Sequence, residues 1–391
     1  ETLLWSSPVL ISDVSGSSDD APHLTMTHYG KGFVVFRDNN VPMIQASVYQ
    51  SGSWSMVEAF LDEGILSKPL IVHASEDISL IVWISSINGL QSVAYENGVF
   101  KEVKRIDPLM TEVGTGLTLA MSHNGKAVLF WLEQEIIYYR VWQGFEWSSV
   151  KNATHRVGSK AFDVGIDDHG DIFLVFQRDQ AIHFKKFSEG AWSSALQLTS
   201  EKSQNYDPRL LVDPKGTAVA IWRRNGKTLE SSHYDKKDWK RSEMISIEET
   251  SEIKLLNDGH ENVLVIYTAI NSGFHELKSI FFNPNLGWSQ PELITSLSQP
   301  FNNIAVATSS LYHTAFSMWE GDGKAKGSFS IFALPSIPPS TFEARLKKDR
   351  FPSQTDRIHI LKWNQTIDPT VIGYRIKQGN NVIFECSVNA A

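Results

Sequence analysis

The sequence predicts an all-β chain: a seven-bladed β-propeller whose N-terminal strand closes the last blade, followed by an incomplete β-sandwich. Three observations carry this expectation. A phrase of turn residues, an aromatic and usually a serine recurs seven times, an apolar run closed by an aromatic keeps the same rhythm, and a proline-rich break separates the repeats from a shorter stretch of different pattern. Repeats of this length mark stacked supersecondary units, none of which can bury its apolar faces alone.

The first phrase reads Trp5-Ser6, Gly52-Ser53-Trp54-Ser55, Gly98-Val99-Phe100, Phe145-Glu146-Trp147-Ser148, Gly190-Ala191-Trp192-Ser193, Lys237-Asp238-Trp239 and Leu286-Gly287-Trp288-Ser289. Its aromatic anchors are separated by 49, 46, 47, 45, 47 and 49 residues. The second phrase ends at Phe36, Trp83, Trp131, Phe176, Trp222, Tyr267 and Trp319. Two independent markers in step make a chance match untenable.

One copy reads as four short strands. In the fifth, a strand over 207–212 meets a tight Asp213-Pro214-Lys215-Gly216 turn, and the apolar run to Trp222 is the second strand. A loop over 223–227 leads into a third strand ending near Tyr234, and the fourth begins at Trp239. Continuous apolar runs bounded by Gly, Pro, Asn and Asp indicate strands buried on both faces. A small sheet buried on both faces must stack between copies of itself, which is a propeller blade. Helical repeats of similar length need a 3.6-residue period that is absent here. The last copy supplies strands around Ile304, Phe316 and 329–334 but no fourth, and residues 3–12 with Trp5 are expected to fill that place, protecting an open edge.

The expected domains are therefore 1–334 for the propeller, 335–340 for a stiff Pro-Ser-Ile-Pro-Pro-Ser linker, and 341–391 for a partial sandwich with strands at 342–347, 357–363 and 371–376. The Trp-Ser repeats resemble the tryptophan-rich propeller repeats of exported bacterial proteins. The tail, with its Pro-Pro start, Trp363 and Gly373-Tyr374-Arg375-Ile376, resembles a fibronectin type III domain. That family needs about 100 residues, so the tail is expected to continue past Ala391 or to dock on the propeller. Together these resemblances imply an extracytoplasmic protein, whether secreted, periplasmic or cell-surface.

Composition narrows the function. Lys plus Arg number 36 against 44 Asp plus Glu, a net charge of −8, which argues against nucleic acid as a partner. No apolar run approaches the roughly 18 residues of a membrane span. The single Cys386 leaves nothing for an internal disulfide or a multi-cysteine metal site. Glu1 in place of Met suggests a mature or trimmed chain. Zinc-helix, nucleophile-elbow and P-loop motifs are all missing. The Asp167-Asp168-His169-Gly170-Asp171 cluster reads as a hairpin turn, and Lys236, Lys237, Lys240 and Arg241 read as a solvated outer hairpin. No catalytic residue, metal or cofactor is expected.

Strand alternation sorts the connections by end. Short glycine-centred turns join first to second and third to fourth strands, and longer, irregular connections gather at the opposite rim, where binding is expected to reside. At that rim the second strands end in Arg37, Asp38, Glu133, Arg178, Arg223 and Glu320, a mixed-charge set suited to an acidic or sugar ligand or to mutual pairing. The Trp anchors serve either packing between blades or sugar stacking, and their fixed repeat position favours packing. The expected function is a non-catalytic scaffold recognising a protein or a glycan at the long-loop rim. A glycan-active enzyme, hydrolase or lyase, with a central pocket is the alternative. A multivalent lectin is the third, and it requires one aromatic-polar pocket repeated between blades.

Overall fold

The computed structural model describes residues 23–27, 31–38, 42–50, 53–74, 78–107, 116–144, 146–155, 157–200, 202–257, 261–309, 314–321, 324–331, 342–350, 355–363, 373–378 and 381–387. All regular structure among them is β, in two units, Glu1–Ile331 and Phe332–Ala391.

The first unit is a succession of antiparallel sheets of three to five strands, sheets 1 to 7 in chain order. Their innermost strands are His23–Met26, Leu70–His73, Leu117–Met121, Ser159–Ile166, Asn205–Val212, Glu249–Asn257 and Asn302–Ser309. Each lies beside the innermost strand of the next sheet, and that of sheet 7 lies beside that of sheet 1. The all-β repeats thus fit a β-propeller. Residues 3–12, expected as the fourth strand of sheet 7, lie outside the described residues.

Burial follows the apolar runs. In sheet 2, Leu80, Ile81, Val82, Trp83 and Ile84 are all buried, because one face packs on sheet 1 and the other on sheet 3. The core is accordingly a series of layers between sheets, with Trp222 and Val219 facing opposite neighbours of sheet 5.

The outer strand departs from the single fourth strand expected. In sheets 1, 2, 4 and 6 it splits in two, as in Ala191–Trp192 and Leu196–Gln197 of sheet 4. In sheets 1, 4 and 6 the break falls at the serine of the repeated phrase, and in sheet 2 at Lys101; sheet 3 has the same serine, Ser148, on an outer strand that does not split. Ser55, Ser148, Ser193 and Ser289 each accept the backbone N–H of the third strand through Oγ at 3.0 Å, from Val48, Val141, Lys186 and Phe281. Each hydroxyl then donates to the carbonyl of its following residue. The side chain satisfies a donor that the departing strand would have orphaned.

The aromatic before it packs as expected of a core anchor. Trp54, Phe100, Trp147, Trp192, Trp239 and Trp288 sit 4.9–5.6 Å, centroid to centroid, from the third-strand aromatic opposite. Several also reach the preceding sheet: Trp192 onto Tyr139, Trp239 onto Phe184 and Phe100 onto Phe60.

In the second unit, Phe342–Arg350 pairs with Thr355–Trp363, and Gly373–Gln378 with Asn381–Ser387. These hairpins cover the strands read from the tail.

Candidate binding cleft between sheets 5 and 6

The six residues expected at the long-loop rim do lie at one end of the second strands, as their registers show. Arg37 stands opposite Ile44, Asp38 opposite Met43, Glu133 opposite Ile136, Arg178 opposite Ala181, Arg223 opposite Leu229 and Glu320 opposite Ala325. The side chains of Asp38 and Glu320 lie outside what the structure describes. Arg223 turns onto its own sheet and the next: it pairs with Asp207 at 2.8 Å, lies 5.9 Å from the Tyr206 ring and donates to the Ser251 carbonyl. Arg178 stacks on Phe176 at 5.5 Å and has no carboxylate partner among the described residues. None of these contacts joins one of the six to another.

A cavity of about 460 Å³ opens at the other end, among the short turns, between sheets 5 and 6. That volume falls in the range of small-ligand sites. Its aromatic walls are His233 and Phe282, with the imidazole 5.3 Å from the Phe282 ring and tilted 44° to it, while the neighbouring Tyr234 ring packs on the other face of sheet 5 against Phe173 and Phe184. Both walls sit at the ends of third strands, where alternation directs one toward the following sheet and the other back toward the preceding one.

The polar rim comes from the turns. Asp213 is buried and accepts Lys215 N–H at 2.8 Å and Asn257 Nδ2 at 3.1 Å, which ties the first turn of sheet 5 to that of sheet 6. Lys215 Nζ pairs with Glu261 at 3.2 Å across the same gap. Asp235 pairs with Lys240, and the N–H of Asp238, then Lys240, then the N–H of Lys237 hold its carboxyl far below the usual range. The lysine-rich hairpin, expected to be merely solvated, therefore lends Lys236 and Lys240 to the mouth of the cleft.

His233 is half-buried, and its ring nitrogens make no hydrogen bond among the described residues. Burial pushes its pKa below the ordinary histidine value; Glu243 opposes that shift, Lys240 adds to it and Asp235 opposes it. The neutral ring offers one donor and one acceptor, the pair that two neighbouring sugar hydroxyls require. Nothing marked His233 in a single repeat, because its partners Phe282 and Asn257 belong to the next one.

Histidines also tie the innermost strands. His23 Nδ1 accepts the Ile71 N–H at 3.2 Å, and Thr25 Oγ1 lies 2.5 Å from His73 Nδ1, so sheet 1 is joined to sheet 2. Burial, then His123, lowers the His73 pKa to about 4. The unfolded chain thus binds more protons between about pH 6.5 and 4. The stability this ring contributes is complete above about 6.5 and is lost as the pH falls to about 4. Thermal melts across that window are expected to show the loss, up to about 3 kcal/mol for His73, and a His73→Asn variant is expected to flatten it. An unchanged acid slope in that variant rules out this assignment.

On the innermost strand of sheet 4, burial, opposed first by Arg209, raises the Asp163 pKa to about 6. Its oxygens accept the N–H groups of Val164 and Leu210 at 2.9 Å, binding sheet 4 to sheet 5. Among the described residues no cluster of His, Cys, Asp and Glu is arranged to hold a metal ion, and no helix is long and apolar enough to cross a membrane.

No family model matches the chain, and no curated protein matches it. Solved structures do. A polysaccharide lyase described as an ulvan lyase superposes with a TM-score of 0.53 at 11% identity, covering 80% of this chain and 91% of its own. A protein of unknown function from Dyadobacter fermentans gives 0.48 at 10%, covering 79% and 93%. A fucose-binding lectin from Aleuria aurantia, described as a six-bladed β-propeller, gives 0.45 at 14%, covering 72% and 96%. At these identities the likeness to the lyase is one of fold.

Proposed function

We propose that the chain is a non-catalytic, carbohydrate-binding β-propeller that takes a sugar residue in the cleft between sheets 5 and 6. The observation that carries this is the juxtaposition in one cavity of the Phe282 ring with a neutral imidazole that makes no hydrogen bond among the described residues and a buried carboxylate. Apolar ring faces suit the C–H face of a pyranose, and the polar groups suit its hydroxyls. We further infer seven blades, supported by the order of innermost strands, with residues 3–12 as the missing strand of sheet 7. A fibronectin type III-like tail and an extracytoplasmic, bacterial setting follow from the resemblance of the repeats and the tail.

Two readings compete with this one. Arg178, without a carboxylate partner among the described residues, supports an acidic glycan or protein ligand at the second-strand ends, with Arg37, Asp38, Glu133, Arg223 and Glu320 beside it. Asp163, with its raised pKa, is the carboxyl to test for a glycan-active enzyme. A glycan array decides between the sites. Binding is expected to weaken about tenfold in His233→Phe, which keeps the ring stack and removes the nitrogens, and to survive in Arg178→Ala. The reverse pattern moves the site to the second-strand ends, and turnover of a bound glycan that Asp163→Asn abolishes replaces the scaffold with an enzyme.

A further inference from the structure

Lys185 occupies a repeat position, the third-strand residue two before the terminal aromatic, which by alternation faces the preceding sheet. Its counterparts are Ser47, Val93, Arg140, Ser232 and Ile280 in sheets 1, 2, 3, 5 and 6. The polar ones donate within their own sheet, to the outer-strand carbonyl eight residues on: Ser47 to Ser55 at 3.0 Å, Arg140 to Ser148 at 2.8 Å and Ser232 to Lys240 at 2.6 Å. Lys185 does otherwise. Its ammonium crosses to sheet 3 and donates to the Ala153 carbonyl at 2.7 Å, just past the outer strand Lys151–Asn152.

The ammonium is buried and short of partners. Lys185 is 8% exposed, and beyond Ala153 it has the Trp192 ring at 5.3 Å. An ammonium carries three donors, and the other two have no acceptor among the described residues. Its surroundings explain why: sheet 3 presents Phe130, Leu132, Ile137 and Tyr139 to this layer, and sheet 4 presents Leu174 and Phe176. Burial, then the nearby charge of Arg178, lowers the Lys185 pKa. The charge acting on this buried cation is thus a second cation, where a counter-charge is the rule.

Arg178 and His183 share the face. In the register of the second and third strands, Leu174 stands opposite Lys185, Phe176 opposite His183 and Arg178 opposite Ala181. The Phe176 ring has the guanidinium at 5.5 Å and the imidazole at 5.4 Å, tilted 24°. Arg178 is half-buried, which leaves the cluster open to solvent at the second-strand ends. In a chain of net charge −8, cations gathered without a carboxylate among apolar walls are a place where anions concentrate.

We propose that Lys185 and Arg178 hold a small oxyanion, a carboxylate or a sulfate group, between sheets 3 and 4 at the second-strand ends. The donors offered are the two N–H groups left on the ammonium and the fork of the guanidinium. This site stands apart from the cleft between sheets 5 and 6 and needs no sugar there.

Melting curves and titration calorimetry at fixed ionic strength test it, with sodium sulfate and sodium acetate as probes against sodium chloride. The wild-type chain is expected to bind one equivalent of sulfate or acetate and to melt higher in it than in chloride. Lys185→Met keeps a long side chain against Trp192 and removes the charge. It is expected to melt no lower than the wild type in chloride and to lose the response to both anions. Arg178→Gln is expected to bind about tenfold more weakly. A rise in sulfate of equal size in the wild type and in Lys185→Met is the general effect of that salt and overturns the site, as does the absence of any response in the wild type. If Lys185→Met does not fold, Arg178→Gln decides, and unchanged affinity in it overturns the proposal. Competition by methyl glucuronide but not by methyl glucoside names a sugar acid as the source of the anion, and its lack names a free ion; either upholds the site. Glycan binding lost in His233→Phe while the sulfate response persists tells failure of the cleft from failure of this site.

Discussion

Trp192→Ala is expected to destabilise the protein by about 3–5 kcal/mol while leaving the cleft between sheets 5 and 6 able to bind. The indole lies 5.4 Å from Phe187 on its own sheet and 6.3 and 5.6 Å from Phe130 and Tyr139 on the preceding one, so truncation opens a void between sheets 3 and 4. Lys185 adds to the loss. Its buried ammonium lies 5.3 Å from the Trp192 ring and donates to the Ala153 carbonyl at 2.7 Å, and without the ring it faces an empty space. Chemical denaturation measures the difference. A near-neutral variant that no longer binds glycan returns the anchor aromatics to the sugar-stacking role.

Asp62→Ala is expected to cost a similar amount, about 3–5 kcal/mol, for a different reason. The carboxylate is buried in the connection from sheet 1 to sheet 2 and serves four donors. Gly64 N, Ser85 Oγ and Asn88 Nδ2 reach Oδ1 at 3.0, 2.7 and 3.2 Å, and Trp83 Nε1 reaches Oδ2 at 2.8 Å. Burial alone would raise its pKa, but the bonds from Ser85, Trp83, Gly64 and Asn88 outweigh it and hold the carboxyl below its ordinary value. Alanine leaves the fully buried Trp83 indole N–H without a partner in a site too apolar to supply one. Asn is no rescue, since its amide presents N–H to one of the donors. Equilibrium unfolding of both variants checks this, and a loss below 1 kcal/mol in each sinks it.

Much of the arrangement was legible because its causes repeat. A strand buried on both faces has to be apolar throughout, so Leu80 to Trp83 and Val219 to Trp222 announced themselves without any knowledge of their neighbours. The split outer strand was not legible, although the serine stands in five of the seven copies. Its hydroxyl accepts an N–H from a strand seven residues earlier, as Ser55 does from Val48, and only the pairing register reveals which donor needs it. The cleft was harder still. His233 and Phe282 stand 49 residues apart in different copies, and the charges beside them, Asp235 and Lys240, look like any exposed hairpin. Reading down the column of residues that precede the last third-strand aromatic, where Lys186 before Phe187 gives way to His233 before Tyr234, is the signal that was available. The charged set from Arg37 to Glu320 shows the converse. Its shared rim followed from alternation, whereas the capture of Arg223 by Asp207 depends on a bulge between Tyr206 and Arg209 that no pattern announces.

The serine clasp also governs what the molecule does in company. A long outer strand would expose a row of free N–H and C=O groups able to recruit a strand from another chain. Here the outer strands open with two paired residues, as in Ser53–Trp54, Ala191–Trp192 and Gly287–Trp288, and then turn aside. Where the strand resumes it is short, as in Glu58–Leu61 and Leu196–Gln197, so the edge offered to a foreign strand is interrupted in these sheets. Where the serine ends the pairing, it thereby works against edge-to-edge association of a molecule rich in apolar strands with its own copies.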